Sequence, residues 1–343
     1  MTTIKDVAKA AGVSVAVVSK ALNNYPDVSD KTREKVRQTA EKMNYSPNIV
    51  ARNLSSKNQK TIAMITSGFL KSESLDNSNS FDLLKGVYQA TEEDNYELAM
   101  YFTETEKQQE KDYAKFCRER NIRGVVLSGI RLDDPYFNAL LDTNIPCVLI
   151  DVKVPIENKN VGSVSIDNVD ASFEMARYVI SKGHKNIAVL TGEGEADVNG
   201  QRLKGICKAT AMNQISIEDK LINGDFKENS AYKNVKEYLN THKDDLPTAI
   251  ISFSDIMALG ALKAIREHGL SVPQDISLTG FDGLKIIEYT NPSITTVNQP
   301  FLEMGYQAAK LVQRIMEGKE VENEVIVPHE MIWNDSVRDL NKK

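Results

Sequence analysis

Cysteine is scarce in this chain of 343 residues, and the three present (Cys117, Cys147 and Cys207) are scattered and odd in number. That speaks against a disulfide framework and leaves no CxxC spacing for a metal or redox centre. Histidine is equally thin: His184, His242, His268 and His329 form no HExxH or paired signature, so neither metal nor cofactor is expected. No apolar run approaches the roughly 18 residues that a membrane helix needs. The opening MTTIKDVAKAAG has neither the apolar core nor the cleavage pattern of a secretory leader, and a cytoplasmic protein is expected. Catalytic motifs are missing as well, with no P-loop and no GxSxG elbow. The one glycine-rich stretch, TGEGEAD (Thr191–Asp197), has an aspartate at the third glycine position of a dinucleotide loop, and its glutamates would repel pyrophosphate. An enzyme is not expected.

What the chain does have is length and an uneven charge. Its size exceeds one ordinary hydrophobic core, and 41% hydrophobic with 26% charged residues describes a globular protein. The formal charge of −6 hides an asymmetry: residues 1–60 carry 11 Lys/Arg against 5 Asp/Glu, and the remainder 31 against 43. A basic head on an acidic body suggests a polyanionic partner for the head alone.

Residues 1–46 read as three short helices. Thr3 caps Ile4–Ala11 with Asp6 as the return arm of a capping box, Gly12 turns the chain, Ser14 caps a helix to about Leu22, and Ser29 caps a third. Val7 and Ala8 meet Val17, Val18, Ala21 and Leu22, and Val36, Ala40 and Met43 close a small core. Two helices joined by a glycine turn form a helix-turn-helix, whose second helix puts its N-terminal residues on base edges. Val15, Ala16 and Lys20 are then candidates for the bases, and Ser14 and Ser19 for phosphates. Thr3 and Asn23 complete the DNA-facing set of the head, and Asn48 joins it from the segment that follows. Pattern alone leaves open a small bundle that binds protein.

From Thr61 the texture changes to short continuous apolar runs, TIAMI, ELAMYF, GVVLSGI, CVLID, NIAVLTG, TAIISF and ISLTGFD, alternating with helical stretches such as Phe81–Asn95, Asp170–Ser181 and Asp255–His268. Such runs are strands buried on both faces, so the expected class is α/β, two doubly wound parallel-sheet lobes behind an N-terminal all-α domain. VPIENKNVG interrupts the rhythm. The expected division is 1–46 head, 47–60 hinge helix and linker, and 61–337 core. Within the core, lobe 1 takes about 61–158 and 291–325, and lobe 2 about 162–288 and 326–337. Ligands in open parallel sheets sit past the carboxyl ends of strands, which nominates Asp151, Ser254, Asp255 and Asp282. Asp255 serves equally as a helix cap and Asp151 as a turn residue.

The stretch TIKDVAKAAGVSVAVVSKALNN, followed by VSDKTREKVRQTAEKMNYSPNIVARNL, resembles the N-terminus of the lactose-repressor/galactose-repressor (LacI/GalR) family. The likeness continues more loosely through SIDNVDASFEMARYVISKGHKNIAVLTG, RLKGI and PTAIISFSDIMALGALKAIREHGLSVPQDISLTGFDG. It implies a sequence-specific DNA-binding regulator, expected to be a repressor, with a periplasmic-binding-protein-like core. It also implies a hinge helix over Pro47–Leu54, with Leu54 as a wedge in the minor groove and Ala51 allowing two such helices to approach. By position, Arg202, Phe226, Ser254 and Asp282 are the implied effector contacts, a set suited to a sugar. A nucleobase or a protein partner is the alternative, and Phe226 taken alone reads equally as a core aromatic. Partners follow from the likeness: double-stranded DNA with a palindromic operator, a small-molecule effector, and a second copy in a homodimer without a coiled-coil tail. Five departures stand out: Val17 in place of threonine, Lys20 in place of arginine, NSNSF (Asn77–Phe81) without an aromatic pair, Gly283 after Asp282, and WNDS (Trp333–Ser336) near the end.

Overall fold

The computed structural model describes residues 2–46, 61–68, 78–140, 142–154, 158–192 and 194–342. The chain forms two compact units, Met1–Gln59 and Lys60–Lys343. The expected hinge helix, with Asn48, Ala51 and Leu54, lies outside the described residues.

In the head, α1 (Ile4–Ala11), α2 (Val15–Leu22) and α3 (Asp30–Lys42) start where short polar side chains satisfy their first backbone donors. Thr3 and Asp6 form the reciprocal capping box, Ser14 Oγ accepts from Val17 N–H at 3.3 Å, and Ser29 Oγ from Thr32 N–H at 3.3 Å. Val7, Ala8, Ala11, Val18, Ala21, Val36 and Ala40 make the core. Val17, expected on the packed face, is only half-buried, because a helical step of about 100° turns it away from the stripe that carries Val18 and Ala21.

The second unit holds two parallel sheets. The first runs β11–β5–β4–β3–β1–β2, with β1 (Thr61–Ser67), β2 (Glu97–Thr103), β3 (Gly124–Ser128), β4 (Cys147–Ile150), β5 (Val161–Ser165) and β11 (Glu324–Ile326). The second runs β7–β6–β8–β9, with β6 (Ile187–Thr191), β7 (Leu221–Asn223), β8 (Ala249–Ser252) and β9 (Ser277–Thr279). An antiparallel pair, β10 (Thr296–Asn298) and β12 (Glu330–Ile332), continues the second lobe through a bridge from Thr279 to Thr295. Each of the seven apolar runs contributes one strand. The crossovers are α4 (Ser78–Glu93), α5 (Thr105–Glu110), α6 (Tyr113–Glu119), α7 (Pro135–Leu140), α8 (Asn168–Ser181), α9 (Asp197–Met212), α10 (Glu228–Thr241), α11 (Asp255–Glu267) and α12 (Phe301–Met316). Among the described residues, no helix is long and apolar enough to cross a membrane.

The lobe boundaries differ from those expected. Residues 161–165 form a fully buried strand of the first sheet, not the start of the second lobe, because VGSVS is too polar to read as a buried run. Residues 295–298 stay with the second lobe, and Ile326 stays with the first. The chain therefore crosses between lobes at 166–167, 299–300 and 327–329. Just past the last crossing, Trp333 lies against Tyr178 of α8, ring centroids 4.1 Å apart.

Helices α4 and α12 pack through a reciprocal pair of glycines. A Cβ on Gly86 would come within 1.9 Å of Leu302 O, and one on Gly305 within 2.1 Å of Leu83 O. Backbone meets backbone, so neither helix can yield by moving a side chain. Gly305→Ala should therefore lower the unfolding free energy of the core by about 1–3 kcal/mol, as measured by urea titration.

Candidate ligand cleft and candidate nucleic-acid interface

The lobes enclose a cleft of about 610 Å³, within the roughly 300–1,000 Å³ usual for small-molecule sites. Its walls are loops that follow strands, where open parallel sheets place their ligands. The first lobe supplies Ser67 at the end of β1, Ser128 at the end of β3 and Asp151 just after β4, with Asn79 and Ser80 from the first turn of α4. Asp225, Phe226 and Asp282 come from the second lobe, and Phe301 stands at the start of α12. Two hydrogen bonds link the lobes at the rim: Leu132 N–H to Glu195 O at 3.0 Å and Lys153 N–H to Asp197 Oδ2 at 2.8 Å.

Backbone geometry marks the same place. Nine non-glycine residues among those described have positive φ. Five of them (Asn24, Asn44, Asn95, Asn121 and Gln214) follow helix ends by two residues, where a left-handed cap is ordinary. The other four, Asp151, Asp225, Phe226 and Asp282, all line the cleft. Strained backbone of this kind gathers where side chains must be aimed rather than where folding alone asks for it. The Phe226 ring lies over Gly192, where an added Cβ would come within 1.9 Å of it. The glycine of TGEGEAD thus seats a ring.

Arg202 is 2% exposed and stands behind the wall rather than on it. Its Nε donates to Asn168 Oδ1 at 2.9 Å and a terminal nitrogen donates to Phe253 O. The guanidinium stacks 3.6 Å from the Phe281 ring centroid and lies 3.6 Å from Asp282 Oδ1. Asp282 also accepts from Gln299 Nε2 at 2.8 Å. Burial pushes the Asp282 carboxyl up to about 6, against the pull of Arg202, and Asp151 up to about 6 for the same reason. Burial also lowers the Arg202 guanidinium from its ordinary value, while Asp282, Asp151 and Asp255 hold it up.

Two sequence candidates turn inward. Ser254 is the N-cap of α11, its Oγ accepting from Met257 N–H at 3.2 Å, and it does not line the cleft. Asp255 is no cap: fully buried, it accepts from Thr296 Oγ1 at 2.7 Å and Leu284 N–H at 2.7 Å, anchoring the loop that carries Asp282. Its carboxyl is pushed well above the usual range, first by burial and then by Asp282. Asn168, Gln299 and the first-lobe residues Thr66, Ser67, Ser128 and Arg131 were not singled out from sequence, although the strand-end rule that found Asp151 applies equally to Ser67 and Ser128. Gly283, unexpected after Asp282, has φ 75° and abuts Asn298, which leaves no room for a side chain there.

On the head, Ser14, Val15 (40% exposed), Ala16 and Lys20 are open to solvent on α2. Lys20 is paired with Asp27, a partner the sequence did not suggest, and each stabilises the other's charged form. Ser19 is half-buried, and its carbonyl accepts from Asn23 Nδ2 at 2.8 Å. Thr3 is exposed but engaged with Asp6.

Removing the buried cation should be costly. Arg202→Met should destabilise the core by about 3–5 kcal/mol, and Arg202→Met/Asp282→Asn should recover part of that loss in urea unfolding. A pH effect follows from Asp151. Its folded pKa of about 6 exceeds the ordinary 3.8, so the folded core holds more protons than the unfolded chain between those values. The stability cost of this carboxylate is then full at neutral pH and fades as the pH falls. Asp151→Asn should melt above the parent at neutral pH in calorimetry, with the gap closing on acidification.

Comparison with known proteins gives these observations a context. Residues 3–48 match the bacterial regulatory proteins of the lacI family, and residues 176–337 match the periplasmic binding protein-like domain. The HTH-type transcriptional regulator MalR of Clostridium butyricum is 35% identical over 97% of this chain and 98% of its own length. The lac repressor dimer bound to operator and the anti-inducer ONPF superposes with a TM-score of 0.83, at 25% identity, over 98% of this chain and 99% of that one. The transcriptional regulator CelR in complex with cellobiose superposes at 0.73, also 25% identical, over 98% and 100%. The chain belongs to the lacI family of bacterial regulatory proteins: it is a DNA-binding transcriptional regulator and not an enzyme.

Proposed function

We propose that this regulator acts as a homodimer on a palindromic operator and that a sugar or sugar derivative in the interlobe cleft controls it. The observation that carries the sugar reading is the pairing of Asp282 and Phe226 on one wall with hydroxyl and amide side chains on the other. A carboxylate accepts from ring hydroxyls while an aromatic face covers C–H groups. The cellobiose bound to CelR supports this choice of ligand class. Arg202 then acts through Asp282, holding it in place and favouring its ionised form, while Ser254 fixes α11 behind the wall.

For DNA, Val15, Ala16 and Lys20 of α2 take the base edges and Ser14 and Ser19 the phosphates, with Thr3 and Asn23 beside them. Lys20 can donate to a guanine only by leaving Asp27, an exposed pair whose loss costs little. Asn48, Ala51 and Leu54 keep the hinge and minor-groove roles that the family likeness gives them. The ligand works by favouring one angle between the lobes, on the order of 1–3 kcal/mol of coupling to DNA binding.

Selection of bound DNA from a random pool, with and without neutral sugars, tests this reading. The expected result is one enriched palindrome whose affinity falls steeply with salt, changes with a sugar, and weakens on Leu54→Ala. No enriched sequence under any condition would sink the proposal.

A further inference from the structure

We propose that the effector of the cleft is an uncharged, hydroxyl-rich molecule and that phosphorylated or carboxylated sugars are turned away. The inference rests on the cleft being the effector site. Six carboxylates line it, Glu104, Glu106, Asp151, Asp197, Asp225 and Asp282, against two cations, Arg131 and Lys227. Both cations are already engaged. Arg131 is gripped by Asp133 through two bonds, one of them from Nε at 2.8 Å, and Lys227 is paired with Asp225. Arg202, behind the wall, is taken up by Asn168, Phe253 and Asp282.

A phosphate brings a charge of about −1.5 to −2 with acceptor oxygens, and it asks for an arginine fork, an uncommitted ammonium or an open helix N-terminus. The helices that begin on the cleft at α5, α9 and α10 each carry an acid in the first turn: Glu106, Asp197 and Glu228. Those acids hold the position where an anion would be favoured. The first turn of α4 has no acid and brings Asn79 and Ser80 to the cleft. It is the one of these helix starts without an opposing charge, and a ligand hydroxyl can accept from its donors without bringing a negative charge among the carboxylates.

Hydrogen-bond direction points the same way. An ionised carboxylate only accepts, so a lining rich in carboxylates calls for a ligand rich in donors. A polyol supplies a donor with every hydroxyl, whereas a phosphate or carboxylate group supplies acceptors to a wall of acceptors. Within this lining, Thr66 is 5% exposed and its Oγ1 is buried with no partner among the described residues, as is Asp151 Oδ1. A hydroxyl, which both donates and accepts, can serve either. Burial already pushes two of the carboxylates up to about 6, so a further negative charge enters against an environment reluctant to hold those present.

Titration calorimetry of the full chain at neutral pH tests this with matched pairs: glucose and glucose 6-phosphate, ribose and ribose 5-phosphate, trehalose and trehalose 6-phosphate, galactose and galacturonate, plus inorganic phosphate alone. The expected result is that a neutral member binds, its anionic partner binds about tenfold or more weakly, and inorganic phosphate gives no saturable heat. Asp225→Asn, which releases Lys227, should narrow the gap. Tighter binding of an anionic member, or saturable binding of phosphate to the parent chain, overturns the inference while leaving the effector reading intact. If no sugar of either kind binds and none alters operator affinity in a gel shift, the effector reading itself has failed and this inference falls with it.

Discussion

A single buried guanidinium holds the second lobe and the ligand wall together. Desolvating Arg202 costs several kcal/mol even after relaxation, and the chain meets that cost with contacts drawn from distant parts of its length. Asn168 opens α8 directly after the first crossing, Phe253 ends the run of β8, Phe281 offers a ring face, and Asp282 offers a charge. Because every partner sits at an element boundary, the cation fixes where α8 starts, where the loop after β8 turns, and how Asp282 is held. The carboxylate on the wall depends on it directly, since without Arg202 nothing charged would oppose the burial that pushes Asp282 toward neutrality.

Most of the fold was legible because the signals were local. Thr3, Ser14 and Ser29 announce helix starts by a chemistry that needs only the next three residues, and a run such as NIAVLTG can be buried on both faces in few ways. The strand Val161–Ser165 escaped because its burial is conferred from outside: β4 and β11 flank it, and no feature of VGSVS itself demands the centre of a sheet. The same applies to Thr296–Asn298, whose placement is set by pairing with a strand more than thirty residues later.

The cleft was legible in part. Asp151 and Asp282 follow from the rule that ligands lie past strand ends, and Phe226 followed from family likeness rather than pattern. What the sequence could not reveal was depth. Arg202 and Ser254 are on the right elements but behind the wall, one committed to a charge network and the other to a helix cap. Nor could it reveal that Arg131 and Lys227 are each neutralised beside the cleft, since the ionic character of a site depends on pairing and not on composition.

The chain contains one tryptophan, and its position gives the molecule an optical address. Trp333 follows β12 and lies against Tyr178 of α8, both in the second lobe, so all indole emission originates at one contact inside that lobe. Unlabelled protein can thus report the folding of its second lobe by fluorescence, and tyrosine-to-indole energy transfer across that contact gives a further channel.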